Sequence, residues 1–173
     1  MIIKNARLSF PSLFQSEVYN GTDTGKYTAT LLISKDDSQI ETLKSVILEA
    51  AENKFGKPLP KGLKMPLGDG DEKEYSGYAG HYSLKASTKN RPVIIDGKKN
   101  PITESDNTIY GGCYVNASID FWVMDNQYGK RVLCNLKGVQ FAKDGERFGS
   151  TNDALDEFEE IEQGETAFED EYF

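Results

Sequence analysis

The residues that carry most catalytic chemistry are nearly missing from this chain. It has one histidine, His81, and two cysteines, Cys113 and Cys134, among 173 residues. A lone histidine leaves no partner set for a His-based triad or a multi-histidine metal site. Two cysteines are too few for a disulfide scaffold, and they read as two buried thiols that could be cross-strand neighbours. No G-x-S-x-G, Walker lysine or H-E-x-x-H motif occurs. No run of 18 apolar residues occurs either, so no membrane-spanning helix is expected. The opening Met1–Arg7 lacks the apolar stretch and small-residue cleavage site of a secretory signal. Gly68-Asp69-Gly70-Asp71-Glu72-Lys73-Glu74 looks superficially like a calcium loop. Its sixth position is not glycine, and Gly80 stands where the twelfth-position Glu should be, so it reads as a solvated acidic loop. The expectation is a non-enzymatic protein with no metal, no cofactor and no membrane contact.

What is abundant is acid, unevenly placed. The formal net charge is -8, from 28 Asp plus Glu against 20 Lys plus Arg. Residues 151–173 hold ten of the acids and no basic residue. Residues 1–150 therefore hold 28 − 10 = 18 acids against 20 bases, a net of +2. The division suggests a mildly basic domain, 1–150, followed by a disordered acidic tail, 151–173.

Periodicity gives the elements. Ile2–Phe10 alternates apolar and polar residues and reads as a strand stopped by Pro11. Lys26–Ser34 alternates again, and the intervening Tyr19–Gly25 is turn chemistry. Ile40, Leu43, Val46, Ile47, Ala50 and Ala51 then fall on one stripe, with Phe55 a turn beyond. This predicts a helix over about 37–55, with capping boxes at Ser34–Asp37 or Ser38–Glu41 and an end at Gly56. Residues 56–80, rich in Gly and Pro and carrying Tyr75 and Tyr78, read as a long loop. His81–Ser87, Pro92–Asp96, Gly112–Asp125 and Arg131–Phe141 read as strands, with Gly138 as a bulge glycine. Strands without βαβ alternation exclude a doubly wound sheet. The fold class predicted is mainly β: an OB-fold-like antiparallel barrel of five to six strands with one inserted helix.

Chemistry enters on the outward faces. In Gly112–Asp125 the core parity is wholly apolar, yet the other parity carries Tyr114 and Trp122 among Asn116 and Ser118. Rings on a polar strand face suit a stacking platform for unpaired bases; equally, they could pack beneath the helix or a loop. Tyr78, on the glycine-rich loop, is a candidate to close over a bound strand. Lys26, Lys85, Lys89, Arg91, Arg131 and Lys137 are candidate phosphate contacts, because each neutralised phosphate releases counterions. The tail ends in Glu169, Asp170, Glu171, Tyr172 and Phe173. A polyanion can compete for a basic groove, and an aromatic terminus with its carboxylate can anchor in a partner's apolar pocket.

The chain resembles phage single-stranded DNA-binding proteins of the OB-fold type with an acidic tail ending in an aromatic residue. The resemblance rests on Lys4–Pro11, Gly25-Lys26-Tyr27, Arg91-Pro92, Tyr110–Ala117, Gly138–Phe141 and Asp144–Gly149. It implies sequence-independent coating of single-stranded DNA during phage replication and recombination, in the cytoplasm of the infected bacterium. It also implies tail contacts with phage or host replication proteins. Host docking stays open, because the bacterial-type tail ends in Pro-Phe and this one in Tyr-Phe. A strand-annealing recombination mediator and a virion or protein-interaction module remain the alternatives, and self-association into a homo-oligomer is left open.

Overall fold

The structure, a computed structural model, describes residues 1–148 and Ile161. The acidic segment therefore lies outside the described residues, apart from Ile161. In chain order the elements are β1 (Ile2–Ser12), β2 (Val18–Tyr19), β3 (Thr22–Asp23), β4 (Tyr27–Ser34), α1 (Gln39–Phe55), β5 (Leu67–Asp69), β6 (His81–Thr88), β7 (Val93–Ile95), β8 (Tyr114–Asn126) and β9 (Gly129–Lys143).

Five strands close into a barrel in the ring order β1-β4-β6-β9-β8 and back to β1. Four of these pairs are antiparallel; the closing pair, β6 with β9, is parallel. The expected OB-like barrel with one inserted helix is thus present, with a parallel seam that the alternation pattern does not encode. The inward parity is apolar and small where the wall is tightest. Ala29 of β4 lies opposite Ala86 of β6, and Ala117 is fully buried on β8. Leu31, Leu84, Val115, Ile119, Val132 and Leu136 fill the rest of the core. Each such side chain contributes about 1.5–3 kcal/mol of burial.

The helix follows the predicted stripe. Ile40, Leu43, Ile47 and Ala51 are buried, and the helix packs on β8 and β9. Neither predicted capping box forms. The Ser38 side chain caps nothing, while the Asp37 carboxylate accepts from the Gln39 backbone N–H at 2.9 Å. The Gln39 amide in turn clamps Lys4, accepting from its N–H at 2.7 Å and donating to its carbonyl at 2.8 Å. This ties the helix start to a bulge in β1, where Ile3 to Ala6 spans three steps against two on β8.

Three further expectations need correction. Pro11 does not stop β1: a second bulge between Ser9 and Ser12 carries the strand past it. The 56–80 loop is not without structure. It contains β5, paired with β6, and a turn at Gly70–Glu72, and Lys64 bridges Arg131 of β9. The thiols are not cross-strand neighbours. Cys134 lies opposite Phe121, whereas the Cys113 carbonyl bonds Leu8 N–H at the start of β8. Gly138 does sit at a register shift, as predicted, and a Cβ there would lie 3.2 Å from the Val93 carbonyl oxygen of β7.

Burial pushes both thiols up, Cys134 to about 12. A thiol reagent attacks the thiolate, so neither cysteine presents a reactive form in the folded protein at neutral pH. We expect no labelling of Cys113 or Cys134 by a chromogenic disulfide at pH 7.5 until denaturant is added. Stoichiometric labelling within seconds in buffer alone would contradict this packing.

Candidate nucleic-acid interface

The outward face of β4 and β6 carries polar residues along most of its length. Register places Thr28 opposite Ser87 and Thr30 opposite Lys85. Two hollows lie over this face, of about 500 Å³ and about 580 Å³. They share Glu17, Thr28 and Lys85, so together they make one groove. In small OB barrels the face of the second and third barrel strands, with the loop joining the first two, is the oligonucleotide surface. Here those strands are β4 and β6. The joining loop is the β2–β3 hairpin, whose Val18 and Tyr19 line the groove. The hairpin turns on Asn20 and Gly21, both at positive φ (51° and 78°), as a tight two-residue turn requires.

One half of the groove is cationic. Lys26, Lys64, Lys85 and Arg131 line it together, and Lys73 lines the other half with Lys85. The salt bridges found among the described residues lie elsewhere, at Lys35, Lys57 and Lys137. The Nε–H of Arg131 is buried and has no hydrogen-bond partner among the described residues. Leaving such a donor unmet costs about 1–3 kcal/mol.

The other half is aromatic. Phe10, 60% exposed, meets the edge of Tyr75 at 5.0 Å between ring centroids, and Tyr75 meets Tyr78 at 5.2 Å. The bulge in β1 holds Phe10 at φ 46°, an unfavourable conformation for a bulky residue. The Tyr78 ring is buried, and its hydroxyl shares a 2.9 Å hydrogen bond with Ser9. The segment carrying these tyrosines is pinned through Lys35. Its ammonium contacts Asp69 at 2.6 Å and Asp71 at 2.5 Å, and Asp71 also accepts from Gly80 N–H. The acidic loop is thus a lysine clamp. Among the described residues no group of three or more His, Cys, Asp or Glu could hold a metal.

The candidates from sequence divide accordingly. Lys26, Lys85 and Arg131 come together in the groove. Tyr78 reaches it, as a fixed wall rather than a closing lid. Trp122, 47% exposed, lies directly opposite Leu133, which lines the cationic half, so by register it stands at the rim. Tyr114 is not brought to the groove. Its ring lies under the Lys143 ammonium at 4.7 Å and beside Arg7, against Gly145. Asn116 is also structural, bonding Asn5 N–H and Gln140 on the outer face. Arg91 lines a separate hollow with Pro92 and Pro101, and Lys137 lies 3.9 Å from Asp120. Lys89 is exposed and outside both halves of the groove. Glu169, Asp170, Glu171, Tyr172 and Phe173 lie outside the described residues. Sequence reasoning missed Phe10, Tyr75, Lys64, Lys73 and Glu17. An apolar residue directly before a proline inside a strand was the available signal for Phe10.

Comparison with known proteins gives the chain a family and a fold. The family model described as "Enterobacter phage Enc34, ssDNA-binding protein" matches residues 1–172. Protein p50 of Acyrthosiphon pisum secondary endosymbiont phage 1 is 40% identical over 174 residues, 94% of each chain. The single-stranded DNA-binding protein of bacteriophage Enc34, solved in complex with ssDNA, is 29% identical with a TM-score of 0.74. The match covers 86% of this chain and 88% of that one. The T7 single-stranded DNA-binding protein gp2.5 shares the fold at 18% identity and a TM-score of 0.65, over 94% of this chain and 97% of that one.

The Lys35 clamp has a pH signature. Its ammonium, with backbone N–H groups, holds the Asp69 and Asp71 carboxyls below the usual aspartate range, and the two carboxylates raise Lys35. A carboxyl depressed in the folded state stabilises above its unfolded pKa and loses that contribution as pH falls through the folded value. We therefore expect amide-exchange protection at Asp71 and Gly80, corrected for intrinsic rate, to hold at pH 5 and to fall only once the pH drops below the ordinary aspartate range. Lys35→Met should move this loss to higher pH. A flat profile from pH 5 to pH 2 in both proteins would exclude the clamp.

Proposed function

The chain belongs to the family of the Enterobacter phage Enc34 ssDNA-binding protein, and from that premise we propose that its β4–β6 groove binds single-stranded DNA. The observation that carries the reading is the convergence of Lys26, Lys64, Lys85 and Arg131, none of them in an ion pair among the described residues, on a groove continuing to exposed aromatic rings. The cations track phosphates and release counterions. Phe10 and Tyr75 offer ring faces to bases, with Tyr78 as their backing and Trp122 at the rim. A duplex keeps its base faces stacked inside, so it can use the cations and not the rings. Phosphate contact needs no reacting group, so the protein works by coating the strand rather than changing it. Its setting is phage replication and recombination in the infected cell.

Four neutralised phosphates give a slope of about −3 in log K against log salt for a single strand. We expect oligo-dT to bind with that slope, to quench Trp122, and to bind far more tightly than a matched duplex. Lys85→Ala should flatten the slope by about 0.7. Phe10→Ala and Tyr75→Ala should each cost about 1–3 kcal/mol with the slope unchanged. Equal affinity for single strand and duplex would sink the reading.

Residues 151–173 complete the proposal as a tail that competes for the groove and recruits replication proteins through Phe173. Charge supports it, at −10 against +2 for residues 1–150. Position supports it as well. The described chain runs to Phe148, whose ring packs on Gly77 beside the Tyr75–Tyr78 segment. Beyond it lie 173 − 148 = 25 residues, a reach of up to about 80 Å when extended. Deleting 151–173 should tighten oligo-dT binding, most at low salt. Unchanged affinity at 50 mM salt would rule out competition.

A further inference from the structure

One residue contradicts the charge of the groove. Glu17 lines both halves, beside Lys85 and between the cations and the rings. It makes no salt bridge among the described residues. A carboxylate placed there repels phosphate, so a backbone-only groove would be better without it. Yet it is firmly positioned. Thr28 Oγ1 donates to its Oε2 at 2.5 Å. Its own backbone is tied at both ends, its N–H donating to the Lys26 carbonyl at 2.7 Å and its carbonyl accepting from Thr24 N–H at 2.8 Å. These bonds hold Glu17 in the lining shared by both halves, where a base edge could meet its carboxylate once the phosphates lie along the lysines. Among the described residues only Oε2 has a hydrogen-bond partner, so Oε1 keeps its acceptor capacity.

A carboxylate only accepts hydrogen bonds, and it accepts best from two adjacent donors. Among the Watson–Crick edges of the four bases, only guanine presents two adjacent donors, N1–H and the N2 amine. Thymine flanks its single N3–H with two carbonyl oxygens. Adenine and cytosine each pair one amine with a ring nitrogen acceptor. In a duplex all these edges are occupied; in a single strand they are free.

We propose that Glu17 is a base-reading residue that gives the groove a preference for guanine at one position along an otherwise sequence-tolerant path. This rests on the groove being the path of the strand. Thr28 is the positioning residue, and the preference is small against the phosphate and stacking contributions, so the protein still coats any sequence.

The experiment compares three sixteen-nucleotide strands in lithium buffer by fluorescence anisotropy: oligo-dT, alternating d(GT), and alternating d(IT), in which inosine lacks only the N2 amine. Losing one hydrogen bond to the carboxylate should weaken d(IT) about fivefold relative to d(GT) for the unaltered protein. In Glu17→Gln that ratio should fall to near one, while oligo-dT binding stays the same or tightens because a negative charge has gone. Binding of all three strands with the d(GT) to d(IT) ratio unchanged by Glu17→Gln, or already one in the unaltered protein, overturns the inference alone. Failure of all three to bind overturns the groove reading with it.

Discussion

The parallel seam between β6 and β9 is the contact on which the rest depends. It is short: Ala86 opposite Cys134 and Ser87 opposite Asn135. Both β6 residues of the pairing, Ala86 and Ser87, are small. Closure brings Lys85 on β6 into one hollow with Arg131 on β9. The two strands diverge away from the seam, and the opening is filled by the 64–69 segment, which bridges Arg131 at Lys64 and pairs with β6 through β5. The cationic half of the groove is therefore a product of how the barrel shuts. Four like charges come together at a cost in repulsion, and the hydrophobic closure of five strands meets that cost.

The aromatic half depends on backbone irregularity. An ideal β1 would end its pairing with β4 by alternating residues in and out, and Phe10 would find no route to the groove rim. The bulge between Ser9 and Ser12 turns Phe10 outward at a positive φ and keeps Thr28 in register with Ser12. Strain of about 1–3 kcal/mol of this kind persists where the surroundings over-determine it. Ser9 is bonded to Tyr78, Tyr78 is buried, and Tyr75 lies between Tyr78 and Phe10. The Lys35 clamp then holds the far end of the tyrosine segment through Asp71 and Gly80.

Much of this was legible as pattern and some was not, for identifiable reasons. Alternation located β1, β4, β6, β8 and β9, because each has one face in the core. The helix showed its stripe. Charge on or beside strands marked Lys26, Lys85 and Arg131 as candidates, and closure of the barrel brings them into one hollow. Parity failed for Tyr114, because it says which face a ring is on and not what covers that face. The cover is the 144–148 segment, set by Arg7 through bonds to the Gly112 and Glu146 carbonyls. It failed again for Lys64 and Lys73, whose loop has no periodicity and takes its course from pairing with strands on either side. Glu17 was invisible for a similar reason: a single acid in a turn-rich stretch reads as solvent until its position over β4 is known.

Arg7 joins the two ends of the molecule's behaviour. Its guanidinium lies 4.0 Å from the Phe148 ring centroid while donating at 2.7 Å to the Glu146 carbonyl. Gly77, at φ 83°, has no Cβ to collide with that ring, so the loop that carries Tyr75 and Tyr78 and the strap that leads to residue 149 share one packing contact. Tyr110 adds to it, its hydroxyl bonded to Asp144 and to Gly145. The described chain ahead of the acidic segment is thus held at Phe148, against the loop that carries Tyr75 and Tyr78. Under the proposed competition, a polyanion tethered there would be at higher effective concentration over the groove than one free in solution. The net charge of -8 describes neither part. The last described residue before the acidic segment packs beside the tyrosine loop, and the cations the proposed tail would oppose line the other half of the groove.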